Sequence, residues 1–136
     1  MKTLKTAAFA ILVAAPAALP AAAQDLPGFF TETIPAYTLK ETAAWYGTLV
    51  GAEGPLDAKT RELVMLGVAA QIPCDYCVYG HTTVARAAGA TEEEIKAAVA
   101  AAGAVRMWST VLNGNAYALE DFKVELDAVV PMHLGQ

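Results

Sequence analysis

Cys74, Cys77 and His81 fall within one short run, Cys-Asp-Tyr-Cys-Val-Tyr-Gly-His, and no other cysteine occurs in the chain. On an α-helix advancing about 100° per residue, Cys77 lies roughly 60° around from Cys74, and His81 lies within about 40° of both. All three side chains then face one small volume. Two thiols able to oxidise to a disulfide, a base one turn away, and a helix start whose dipole favours thiolate together suit thiol-disulfide chemistry.

A fourth group follows from register. Two antiparallel helices joined at Gln71-Ile72-Pro73 would place Glu62 about 12 Å up one helix and His81 about 10 Å up the other, at a rise of about 1.5 Å per residue. Glu62 borders the apolar Leu63 and Leu66. Pointing inward it needs a partner, because an unpaired buried charge is costly, and His81 stands at its level. The expected relay runs from Glu62 to His81 to Cys77, the carboxylate orienting the ring and the ring taking or returning the thiol proton. Cys74 would close the disulfide. The helix dipole alone favours Cys74 as first nucleophile, whereas the spacing to His81 favours Cys77.

Other uses of this spacing fit less well. The c-type haem signature puts histidine directly after the second cysteine, and Val78 stands there. Zinc could use Cys74, Cys77, His81 and Glu62, but structural zinc sites usually draw on a second cysteine or histidine pair that this chain lacks. A purely structural bridge across three residues would restrict the unfolded chain little. No metal and no cofactor are therefore expected. Tyr76, between the thiols, is a packing residue by default, or a hydrogen-bond donor to a bound oxygen. Tyr79, Trp45, Trp108 and His133 are read as packing or solvated residues.

The elements that must position these groups lie behind an N-terminal leader. Lys2 and Lys5 precede an apolar stretch from Ala7 to Leu19 and the small residues Ala21-Ala22-Ala23, the pattern of a secretory signal peptide over residues 1–23. The stretch is shorter than the roughly 20 residues of a membrane span. Export to the periplasm or outside the cell is the expectation, with no membrane partner after cleavage. Nine Lys and Arg stand against 14 Asp and Glu; losing the two leader lysines leaves seven. The acidic balance argues against nucleic acid and anionic membrane as partners. The remaining chain is small for a self-sufficient core, so self-association is expected.

Residues 24–35, with two prolines and a glycine, read as an extended arm ahead of a domain over 36–136. Leu39, Ala43, Tyr46 and Val50 recur at helical spacing over 36–50. Asp57 can cap a second helix to about Ala70, and Ile72-Pro73 breaks it. A third helix starts at or just after Cys74 and ends at Gly89, a residue suited to a left-handed cap. Thr91-Glu92-Glu93-Glu94 is a capping box opening a fourth. Val105, Trp108, Leu112, Leu119, Phe122, Leu126 and Val129 keep a helical rhythm, interrupted at Asn113-Gly114-Asn115, which reads as two helices or one kinked one. Nothing alternates at period two. The expectation is an all-α, compact domain of about five to six helices with its active site on a helix hairpin.

The block from Pro55 to about Val111, with Lys59-Thr60-Arg61-Glu62-Leu63, Cys74-Asp75-Tyr76-Cys77, His81, Gly89-Ala90-Thr91 and Glu93-Glu94-Ile95, resembles the alkyl hydroperoxidase D-like branch of the carboxymuconolactone decarboxylase family. That resemblance implies an all-helical fold, assembly into trimers or hexamers, and a thiol peroxidase or disulfide reductase. Residue by residue, Glu62 and His81 correspond to a proton relay, Cys77 to the thiol it activates, Cys74 to its redox partner and Tyr76 to a supporting residue. The implied partners are a peroxide substrate and an unidentified dithiol electron donor. The lactone-processing decarboxylase branch is the alternative within the fold and does not call for the cysteine pair. A zinc-binding or disulfide-stapled module without enzymatic activity is the alternative outside it.

Overall fold

The structure is a computed structural model that describes residues 26–133 and residue 135; the expected signal peptide lies outside the described residues. Among the described residues every regular element is helical, six in all: α1 Gly28–Thr31, α2 Leu39–Val50, α3 Ala58–Gln71, α4 Asp75–Ala87, α5 Glu92–Gly114 and α6 Leu119–His133. The all-α expectation holds. Two compact units divide the chain at Val50, and each is described by itself.

In the first unit, the segment read as an extended arm carries one helical turn. Pro27 starts it, its carbonyl accepting from Phe30 N at 2.8 Å, as suits a residue whose fixed φ favours a first turn. Phe30 stacks at a tilt on Tyr46 of α2, ring centroids 6.0 Å apart. Helix α2 begins at Leu39, three residues later than the periodicity suggests. Residues 35–38 instead form a turn closed by Thr38 N on Pro35 O.

The second unit is built on α3, α4 and α5. Asp57 caps α3, its side chain accepting from Thr60 N at 3.0 Å. Residues 72–74 reverse the chain, so α4 returns along α3 as its antiparallel neighbour. Helix α5 also lies along α3 and parallel to it, tied to both ends of α3. At one end Lys59 Nζ donates to Glu94 Oε1 at 2.7 Å. The other end is tied by Arg106 Nε on Gln71 Oε1 at 2.8 Å and by Gln71 Nε2 on Ala102 O. Between them Gly67 faces α5, and a Cβ there would meet Ala98 O and Ala102 Cβ at ordinary contact distance, so an alanine would also fit. Glu94 serves twice, since it also completes the capping box with Thr91. Those bonds, from Lys59 first and then from Thr91, hold its carboxyl down at about 2. The buried apolar residues of this unit are Leu66 and Ala69 of α3, Ala85 of α4 and Ile95 of α5.

Helix α5 runs unbroken through Gly103, so the capping box and the first part of the later apolar rhythm belong to one element. The interruption at residues 113–115 is a true helix end, which makes α6 separate. Both α4 and α5 close with the same paired bonds. After α4, Gly89 N donates to Arg86 O and Ala90 N to Ala85 O; after α5, Ala116 N donates to Asn113 O and Tyr117 N to Leu112 O. That motif needs a left-handed residue. Gly89 fills it at φ 88°, but Ala116 is forced into it at φ 50°. Because an L side chain is disfavoured there, Ala116→Gly is expected to raise the unfolding free energy by about 1 kcal/mol and Gly89→Ala to lower it by about as much. Paired denaturant melts of the two variants measure both.

Candidate active site

Helices α3 and α4 face each other across the hairpin, and the residues on their facing sides define the site. Glu62, one turn into α3, is turned inward beside Leu66 and is only 3% exposed. Its Oε2 stands 2.8 Å from Nδ1 of His81 on α4. An ionised carboxylate can only accept, so Nδ1 carries the hydrogen and donates. That fixes the ring's tautomer and leaves Nε2 as the atom able to exchange a proton. The His81 side chain keeps 20% exposure, so the ring is held from behind by a buried anion and reaches the surface in front.

The cysteines sit at the start of the same helix. Cys74 is the N-cap of α4, with its sulfur accepting from Cys77 N at 3.2 Å. The two form a disulfide, Cα atoms 5.3 Å apart, inside the range ordinary disulfides occupy. Both are half-buried. Cys77 precedes His81 by four residues, one turn along the same face of α4. Once reduced, a thiol at this helix start feels the positive end of the dipole and unpaired backbone N–H groups, which favour thiolate. Tyr76 points the other way and is 91% exposed; Tyr79 is 76% exposed. Tyr76 therefore borders the disulfide from the solvent side rather than packing beneath it.

Glu62 and His81 are thus directly bonded, Cys74 and Cys77 are covalently joined, and one turn of α4 separates the two pairs. A residue to which sequence reasoning gave no role also belongs here. The Arg61 side chain is folded in until 11% is exposed, with Nε 3.6 Å from Glu62 Oε1 and Nη1 donating to Gly51 O at 3.1 Å. Its position next to Glu62 was the one available signal. Adjacent helical residues do not normally face each other, so spacing gives no hint of the contact. An open apolar groove of about 680 Å³ lies on the other side of α3, lined by Leu63, Val64, Val68, Ala98, Ala101 and Val105 among others. None of the residues lining it belongs to the site.

Comparison with known proteins decides the family. The sequence profile described as "Carboxymuconolactone decarboxylase family" matches residues 38–120, more than half of the chain. The chain belongs to the carboxymuconolactone decarboxylase family. A relative from Paracoccus denitrificans, "Uncharacterized protein 4 in cox locus", is 36% identical over 67 residues, covering 49% of this chain and 60% of that protein. The chain thus spans less than two thirds of that relative's length. No solved structure matches. The family includes enzymes of both peroxidase and decarboxylase type. This member pairs the fold with a disulfide at the start of the helix that carries His81.

Proposed function

We propose that this chain is an exported thiol-disulfide oxidoreductase, a peroxidase that reduces hydrogen peroxide or an alkyl hydroperoxide. The observation that carries the reading is the bond between buried Glu62 and His81, placed one helical turn from a cysteine pair already able to close. A carboxylate–imidazole pair is the arrangement that moves protons at a neighbouring nucleophile. The proposed oxidant and dithiol would approach from the side on which His81 reaches the surface.

In the proposed cycle the Cys77 thiolate attacks one peroxide oxygen and the O–O bond breaks. The departing alkoxide or hydroxide takes a proton from His81, leaving as alcohol or water. Cys77 becomes a sulfenic acid, two electrons having passed from sulfur to peroxide. His81, now neutral, then takes the Cys74 thiol proton, and as the Cys74 sulfur displaces hydroxide from the sulfenic acid it returns that proton, so that water leaves and the disulfide forms. An external dithiol restores the pair by exchange and is itself oxidised to a disulfide. Glu62 holds the ring throughout, and Tyr76 stands where a docking donor or substrate would touch.

Both cysteines are required by this scheme. Cys74→Ser and Cys77→Ser should each abolish peroxide consumption with a dithiol donor, and unchanged turnover in both variants would refute it. The decarboxylase reading makes the opposite demand, activity on a lactone acid that survives loss of both thiols. A zinc-binding module would instead purify with about one metal ion per chain, bound through thiolates that the disulfide does not offer.

The proposal extends to assembly. Helices α5 and α6 leave large apolar side chains in solvent, among them Val105 at 69%, Trp108 at 56%, Leu119 at 63% and Val124 at 71% exposure. Exposed apolar surface on this scale marks an interaction face. Helix α5 is long and apolar enough to cross a membrane, yet Arg106 far along it is bonded to Gln71 of α3. Further copies of the chain are therefore the proposed cover. Light scattering on purified protein should give the mass of a trimer or hexamer; a monomer at micromolar concentration would contradict this part.

A further inference from the structure

Arg61 is buried without its hydrogen-bonding capacity being used up. Its Nε is a buried side-chain nitrogen that meets no hydrogen-bond acceptor, although Glu62 Oε1 stands 3.6 Å away. Leaving such a donor unpaired carries a real cost, and burying a guanidinium costs more unless a counter-charge is near. The Nη1 of Arg61 is tied to Gly51 O ahead of the helix at 3.1 Å, while its Nε stays beside the Glu62 carboxylate. A surface arginine would do none of this.

We infer that Arg61 is a positioning residue for the Glu62–His81 pair, balancing the Glu62 charge during the half of the cycle in which His81 is neutral. The inference rests on the peroxidase reading for its consequence in turnover, but not for its geometry. Glu62 divides its oxygens between two partners: Oε2 accepts from Nδ1 of His81 and Oε1 faces the guanidinium. While His81 holds two protons, its charge compensates the carboxylate. Once His81 gives a proton to the departing oxygen, that compensation ends and a carboxylate only 3% exposed would stand alone. A buried carboxylate without a counter-charge is costly, and its hold on the ring is the contact at stake. A guanidinium beside Oε1 stays charged at any working pH and supplies that counter-charge at both stages. The tether to Gly51 fixes where that charge sits.

The test compares Arg61→Gln with Arg61→Lys, the first removing the charge and the second keeping it on a different head. Two readouts are taken on each folded variant: the proton NMR signal of the His81 Nδ1–H donated to a carboxylate, and the turnover of hydrogen peroxide with dithiothreitol as donor. Arg61→Gln should lose the Nδ1–H signal and at least about tenfold in kcat with little change in KM, whereas Arg61→Lys should keep the signal and stay within about threefold of the parent chain. Arg61→Gln retaining both signal and turnover would overturn the inference, as would Arg61→Lys falling as far as Arg61→Gln. If the parent chain turns over no peroxide, the peroxidase reading fails while the NMR comparison still decides for or against Arg61. If Arg61→Gln does not fold, Arg61→Lys decides alone, a retained signal supporting the charge role and a lost one refuting it.

Discussion

A single buried contact, the Glu62 carboxylate on the His81 imidazole, organises the second unit of this protein. It crosses the gap between α3 and α4, with Arg61 as the second charged group beside the carboxylate. A buried carboxylate must be compensated. That requirement sets how α4 is rotated and how far it slides along α3, and both settings are inherited by the two cysteines at its start. Under the proposed function, the chemistry and the packing of the hairpin rest on the same bond.

The fixed points around the hairpin serve that register. Asp57 and Thr91 start α3 and α5 by capping their first turns. Lys59 with Glu94 at one end and Gln71 with Arg106 at the other pin α5 alongside α3. An ion pair as exposed as Lys59–Glu94 contributes modestly to stability, as does an exposed hydrogen bond such as that of Arg106 to Gln71, and their weight here lies in holding two helices parallel. Helix α6 and the far part of α5 lack such anchors among the described residues and present apolar side chains to solvent instead. The Glu62–His81 contact and the disulfide thus lie within one chain, whereas the outer helices expose apolar side chains.

Much of this was legible in the residues because the local signals are short-ranged. Asp57, the Ile72-Pro73 break, Gly89 and the Thr91–Glu94 box each mark a boundary through bonds to their own backbone neighbours, and α3, α4 and the start of α5 follow. The pairing of Glu62 with His81 could be anticipated because a tight hairpin converts sequence separation into height. What escaped was set by longer or weaker terms. Apolar periodicity ran past the true start of α2, since it cannot see the turn that Thr38 closes on Pro35. One turn of helix formed at residues 28–31 where prolines suggested extension. Arg61 stands in the family motif, and nothing in its spacing marks a task for it. Its place beside the adjacent Glu62 is held by a carbonyl ten residues earlier, Gly51 O, and no periodicity encodes that.

The central claim is that the Glu62–His81 pair serves the cysteines rather than only the packing. Its most direct test is a single turnover: fully reduced parent chain and Glu62→Gln, each mixed with one equivalent of hydrogen peroxide, with free thiols counted over time. The account predicts that two thiols disappear per peroxide in the parent chain and that the glutamine variant, folded and equally able to form the disulfide with a chemical oxidant, loses them at least about tenfold more slowly. Equal rates in the two proteins would contradict it.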